Sequence, residues 1–174
     1  MPYAPFHEFF PEVAMRETRS VTVPPDSDTG VPPGEYGFLE LFCNEKGCDC
    51  RRVFLYVVSA PKNDVHAVIA YGWESPAFYS KWMGDNDPTI IDSLRGPCLN
   101  LGSPESAAAP ALLDLFRNVL LRDTAYLGRI KRHYRMFREK VEGAGAGGRQ
   151  KPERKRKKGG RWGQALRFAF QAVV

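Results

Sequence analysis

The chain has 174 residues and a mass of 19.6 kDa, 43% of them hydrophobic and 26% charged. That is room for one domain with a real core and too little for two comfortable ones. No run approaches the roughly 18 apolar residues of a membrane-spanning helix, and the opening MPYAPFHEFFPE lacks the basic and long apolar regions of a secretory signal. The net charge of +5 is unevenly placed: residues 143–174 hold nine Lys/Arg and one acid, whereas residues 1–142 hold sixteen Lys/Arg and nineteen acids. The sequence pI of about 9.1 therefore belongs to the tail, and an inference from pI to nucleic-acid binding does not reach the rest of the chain.

In chain order, Phe6, Phe9, Phe10 and Val13 recur at helical spacing but are interrupted by Pro11, which predicts two short helical turns with Pro11 at the first position of the second. Thr18–Val23 is β-branched and reads as extended, and residues 24–35 (PPDSDTGVPPGE) read as a loop. Three strands follow in quick succession, Tyr36–Cys43, Cys48–Ala60 and Val65–Trp73. Connections this short join antiparallel neighbours and predict a β-meander. Both faces of the middle strand are apolar (Val53, Leu55, Val57 against Phe54, Tyr56, Val58), so the sheet should be covered at least partly on each side.

The remainder reads as helical. Ser75-Pro76, Asp87-Pro88 and Ser103-Pro104 each have the form of an N-cap with proline at the first helical position. Gly96-Pro97 ends the second of these helices, and Pro110 resets the third. Leu112, Leu115, Phe116, Val119 and Leu120 then form one stripe, and Leu127, Ile130, Tyr134, Phe137 and Val141 another, as an αα-hairpin with Asp123 capping its second helix. Helices are expected over about 76–84, 110–121 and 124–141. Strands followed by helices argue an α+β fold over residues 1–142. Residues 143–174 form a separate tail: a glycine linker (GAGAGG), the basic run RQKPERKRKKGGR, which reads as disordered, and an apolar end, WGQALRFAFQAVV, with the pattern of a short helix.

Four cysteines are too few for a disulfide scaffold. Three of them, Cys43, Cys48 and Cys50, read C-x4-C-x-C across the first hairpin, which suits metal or redox chemistry in a reducing compartment and predicts a cytoplasmic protein. Cys43 ends the first strand and Cys48 begins its partner, so the side chains of Cys48 and Cys50 share a face because the strand period is two, and three thiolates can converge on one tetrahedral zinc. Lys46, Arg51 and Arg52 nearby are expected to lower the thiol pKa values. Cys98, in a GPC turn, is the favoured fourth ligand; His7, His133, Asp49 and water are the others, while His66 falls at the far end of the meander. A site closed by four ligands is structural. The competing readings are free thiols and a Cys43–Cys48 redox pair.

Other candidates have plainer explanations. Tyr71, Trp73, Phe78, Tyr79 and Trp82 could line a ligand pocket, but aromatics commonly fill the corner between a strand and a helix. Glu74 and Asp64 are strand-end acids without a visible partner. The basic residues of the last helix, Arg129, Lys131, Arg132, His133, Arg135, Arg138 and Lys140, read as a solvated face before a phosphate-binding one. In the tail, Lys151, Arg154, Lys155, Arg156, Lys157 and Lys158 are a candidate contact for nucleic acid or another polyanion, with Trp162, Leu166, Phe168 and Phe170 as an adjoining apolar element.

The segments FHEFFPEVAMRETRS, GEYGFLELFCNEKGCDCRRV, YGWESPAFYSKWMG and YLGRIKRHYRMFREK together resemble bacterial proteins of an uncharacterised family over about residues 5–141. The resemblance implies a bacterial cytosolic protein and carries no activity. The sequence thus points to a small α+β zinc-binding interaction module with a basic tail that contacts nucleic acid. The alternative is an enzyme with its site at the aromatic strand–helix corner.

Overall fold

Residues 34–72 are dense in β-branched and aromatic side chains, and in the computed structural model, which describes residues 3–60 and 62–143, they form the three long strands of an antiparallel sheet. These are β3 (Gly34–Cys43), β4 (Arg52–Ser59) and β5 (Asp64–Gly72). The free edge of β3 is lined end to end by two short strands. β1 (Tyr3–Pro5) pairs Tyr3 with Cys43, and β2 (Arg19–Val23) pairs Arg19 with Phe38. Between them the chain makes α1 (Phe6–Phe9) and α2 (Pro11–Glu17), broken at Pro11 as its missing N–H requires. A sixth strand, β6 (Cys98–Leu99), closes the far edge by pairing Cys98 with Ala70. The sheet is thus the expected meander of three to four strands, with the extended segment Thr18–Val23 supplying β2 as its fourth, widened further by β1 and β6; the two-residue β6 and three-residue β1 have no periodicity to announce them.

Helices α3 (Pro76–Met83) and α4 (Pro88–Arg95) start as their sequences dictate, with Ser75 Oγ accepting from the Phe78 N–H at 3.2 Å and Asp87 Oδ1 from the Thr89 N–H at 2.8 Å. The third such motif behaves otherwise. Ser103-Pro104 opens no helix, because this stretch runs along the edge of β5: the Asn100 and Ser106 N–H groups donate to the Val68 and His66 carbonyls, both at 2.8 Å. Helix α5 (Ala109–Asn118) starts only after that pairing ends. A short 3₁₀ turn, Leu120–Arg122, leads to α6 (Thr124–Gly143), where Asp123 Oδ1 accepts from the Ala125 and Tyr126 N–H groups at 3.0 and 3.1 Å.

The period of two sends Phe38, Phe42, Val53, Leu55, Val57, Ala67 and Ile69 to one face of the sheet. There α1, α5 and α6 deliver Phe6, Leu112, Phe116, Ile130 and Phe137, forming the main core. The opposite face carries Leu39, Leu41, Phe54, Val58, Val68 and Ala70. At its Gly72 end it receives α3 and α4: a Cβ on Gly72 would sit 2.2 Å from Tyr79 Oη and 2.8 Å from the Leu94 carbonyl oxygen, so only glycine permits that approach. The tail readings at residues 144–174, including Lys151 and Arg154–Lys158, lie outside the described residues.

Candidate metal centre

The second long strand begins at Arg52, not at Cys48. Cys48 and Cys50 therefore lie in the loop 44–51, and strand periodicity does not bring them together. The loop does so by its own turns: Gly47 at φ +73° and Arg51 at φ +46° reverse the chain at two points. One donor atom from each of Cys43, Cys48 and Cys50 lies within 4.8 Å of the others. Cys43 and Cys50 are buried, Cys48 is half-buried, and all are free thiols. The predicted convergence holds; the predicted reason for it does not.

The loop is held from outside by one ridge of α6. Tyr134, Arg138 and Glu142 are four residues apart and so lie on one line along the helix. Arg138 Nη1 donates to the Cys43 carbonyl at 3.0 Å and the Glu45 carbonyl at 2.8 Å, and its other terminal nitrogen pairs with Glu142. Glu142 Oε1 in turn accepts from the Gly47 N–H at 2.9 Å. The Tyr134 hydroxyl accepts from the Arg51 N–H at 3.4 Å and donates to Asp49 at 3.3 Å. From the other side, the Tyr3 hydroxyl lies 3.9 Å from Cys50 Sγ. Arg138, read as part of a solvated basic face, is in fact a clamp on the cysteine loop. Only the four-residue spacing in α6 hinted at this, and nothing in the sequence pointed to Tyr3.

The expected cationic help for the thiols is largely absent. Arg51 is committed to Asp49 at 2.8 Å and Glu74 at 3.3 Å, which hold its guanidinium charged and pull the Asp49 carboxyl below its ordinary range. Arg52 is buried against the Phe54 ring, 5.4 Å from its centroid, and donates to the Ser93 carbonyl at 3.3 Å. Burial dominates instead: it pushes Cys43 up and Cys50 up to about 12, with the neighbouring cysteines adding to the effect. Against this act the backbone N–H groups of Glu45 on Cys43 and of Arg52 on Cys50, each two residues beyond its sulfur, and the charge of Arg138 on Cys43. Neutral thiols are favoured in this pocket unless a cation displaces their protons, and amide donors stand ready for the thiolates that result.

No fourth donor joins the group among the described residues. Cys98 is outside it. The register runs Leu41, Phe54, Ala70, Cys98 across β3, β4, β5 and β6, which puts Cys98 about three strand spacings, roughly 14 Å, from β3; its thiol donates to the Ser93 carbonyl at 3.5 Å. Asp49 is engaged by Arg51 and Tyr134. His66 sits at the turn end of β5, with its ring nitrogens on Ser59 Oγ at 2.8 Å and Ser106 Oγ at 3.1 Å. His133 is 1% exposed, stacks on Phe6, and spends Nδ1 on Glu40 at 2.7 Å and Nε2 on Glu17 at 3.1 Å. That buried His133–Glu40–Glu17 cluster joins α6, β3 and α2. Its signal was in the sequence: Glu40 stands between Phe38 and Phe42 on the core-facing parity of β3.

The aromatic corner is packed around Tyr79 and open at Trp82, which is 37% exposed. Tyr79 is fully buried and donates its hydroxyl to the Arg51 carbonyl at 2.9 Å. Beside it a hollow of about 360 Å³ is lined by Asp49, Arg51, Trp73, Glu74, Lys131, Tyr134 and Arg135, and both of its acids belong to the Arg51 ion pairs. No described helix is long and apolar enough to cross a membrane. Comparisons with protein-family models, curated proteins and solved structures return no match.

Proposed function

We propose that the protein is a small metal-binding interaction module in which Cys43, Cys48 and Cys50 hold a zinc ion. The observation that carries this reading is the mutual approach of the three sulfurs within 4.8 Å, close to the roughly 4 Å edge of a tetrahedron with Zn–S bonds of about 2.3 Å. All-sulfur donors suit a soft or borderline cation such as zinc rather than calcium or magnesium. With three protein ligands, the fourth position goes to water or to a group supplied by a partner. The ion ties β3 to the loop before β4 and so fixes the surface between that loop and α6. The test is metal analysis of the purified protein, with zinc near one equivalent in the native chain and near zero after Cys43→Ser or Cys50→Ser. A native chain without stoichiometric metal, whose three thiols react freely, would discard the site.

The basic run Lys151, Arg154, Lys155, Arg156, Lys157 and Lys158 is proposed as a contact for nucleic acid or a similar polyanion. Its support is charge density, six Lys/Arg in eight positions, since counterion release makes such a segment bind phosphate backbones. Replacing the six by Gln in the full chain should abolish binding to DNA and RNA in a fluorescence titration, and native binding should weaken steeply with salt. Equal binding by both proteins would move the contact to the exposed Lys131 and Arg135 of α6. The alternative of an enzyme has the hollow beside Glu74 in its favour and the internal pairing of its acids against it.

A further inference from the structure

His66, at the end of the meander away from the cysteine loop, has a hydroxyl group at each ring nitrogen. Nε2 lies 2.8 Å from Ser59 Oγ and Nδ1 lies 3.1 Å from Ser106 Oγ. The β4–β5 hairpin brings Ser59 there, pairing it with Asp64 just past the irregularity between Val57 and Val58. Ser106 arrives from the stretch along the β5 edge. Its N–H donates to the His66 carbonyl at 2.8 Å and its Oγ accepts from the Ala108 N–H at 3.2 Å. The Tyr36 ring stands edge-on to the imidazole, 5.6 Å between centroids. The imidazole is thus fixed from three sides, while Ser59, His66 and Ser106 are each only half-buried and remain open to solvent. The side-chain bonds are not needed as a tether, because the Asn100 and Ser106 N–H groups already fasten that stretch to β5. A hydroxyl, an imidazole within hydrogen-bond reach and a third group orienting the imidazole are the parts of an activated nucleophile.

We propose that Ser59 is an acyl-accepting nucleophile for small esters, with His66 as its general base and Ser106 as the residue that positions the imidazole. In the tautomer this assigns, the Nδ1–H donates to Ser106 Oγ, which keeps a lone pair for it beside the bond from Ala108, and the Ser59 hydroxyl donates to Nε2. Ser59 Oγ attacks the ester carbonyl carbon and its proton passes to Nε2. The bond from that carbon to the leaving oxygen then breaks, and the leaving alcohol takes the proton from Nε2. Water attacks the acyl-serine in the same way: His66 takes a proton from the water and returns it to Ser59 Oγ as the carboxylic acid departs. The net reaction is ester hydrolysis with water as the co-reactant. A site met at the surface supplies little binding energy to the chemistry, so the substrate class is small acyl groups on a phenolic or similarly acidic leaving alcohol. The site is independent of the metal centre and of the hollow beside Glu74.

The probe is an alkyl fluorophosphonate, on which an activated serine forms an O–P bond as fluoride leaves and the hydroxyl proton passes to the base. The native full chain should gain one phosphonyl group by intact mass, and peptide mapping should place it on Ser59; Ser59→Ala should gain none. His66→Ala should slow labelling at least about 100-fold, and imidazole added to the solution should recover part of the rate, which it could not do for a side chain with only a structural role. Ser106→Ala should also slow labelling, and Ser106→Thr, which keeps the hydroxyl, should restore it. Hydrolysis of 4-nitrophenyl acetate should be lost in Ser59→Ala. A native chain that takes up no probe would overturn the proposal. So would an adduct mapped to another residue, labelling of Ser59 at an unchanged rate in His66→Ala, or ester hydrolysis that persists in Ser59→Ala.

Discussion

Zinc affinity should rise steeply with pH, because burial keeps the ligands protonated until the metal arrives. In the metal-free pocket Cys43 is pushed up and Cys50 is pushed up to about 12, so both carry protons across the neutral range. Each must lose its proton to bind, and each released proton adds one to the slope of log K against pH. Cys43 and Cys50 together demand an increase of at least about 100-fold per pH unit. The assay is competition against a chromophoric chelator between about pH 6 and pH 8, corrected for the chelator's own protonation. Cys50→Ser should lower both the affinity and the slope, the latter by one. A native slope under one would refute the argument, since two buried neutral thiols cannot become ligands while releasing fewer protons. The metal-free fold shows the opposite sign. A raised thiol pKa contributes stability below the ordinary value of 9.0, and that contribution is lost as pH climbs from there through about 12.

Cys98→Ser should leave metal stoichiometry and affinity unchanged, measured by elemental analysis and the same competition; a loss of bound metal would place Cys98 in the coordination sphere after all. Arg138→Ala removes the clamp on the Cys43 and Glu45 carbonyls and should weaken zinc about 10–100-fold, as expected for a residue that orients ligands without touching the ion; unchanged affinity would show that the loop holds its shape unaided. His133→Ala leaves Glu40, 6% exposed, without its imidazole partner and should cost about 3–5 kcal/mol in urea denaturation. A cost under about 1 kcal/mol would mean that water replaces the ring without penalty.

Whatever is local could be read in the residue order. The three long strands announce themselves through short connections that permit only antiparallel pairing. Ser75-Pro76 and Asp87-Pro88 start their helices because side-chain oxygen and proline ring act within three residues of each other. The stripes of α5 and α6 follow from the helical period. The cysteine cluster was legible as a juxtaposition across one hairpin, a matter of eight positions. What needed tertiary structure are the interactions between residues far apart in the chain. Ser103-Pro104 has the local form of a helix start and loses to the hydrogen bonds its neighbours make with β5, which no local signal reports. Cys98 looked available as a ligand until the register placed it on β6, strands away from Cys43. The ridge Tyr134–Arg138–Glu142, the reach of Tyr3 to Cys50 and the pairing of Glu40 with His133 each join positions 47 to 95 residues apart. Such contacts depend on how helices and strands are stacked, and that is set by the whole apolar surface being buried at once rather than by any segment alone.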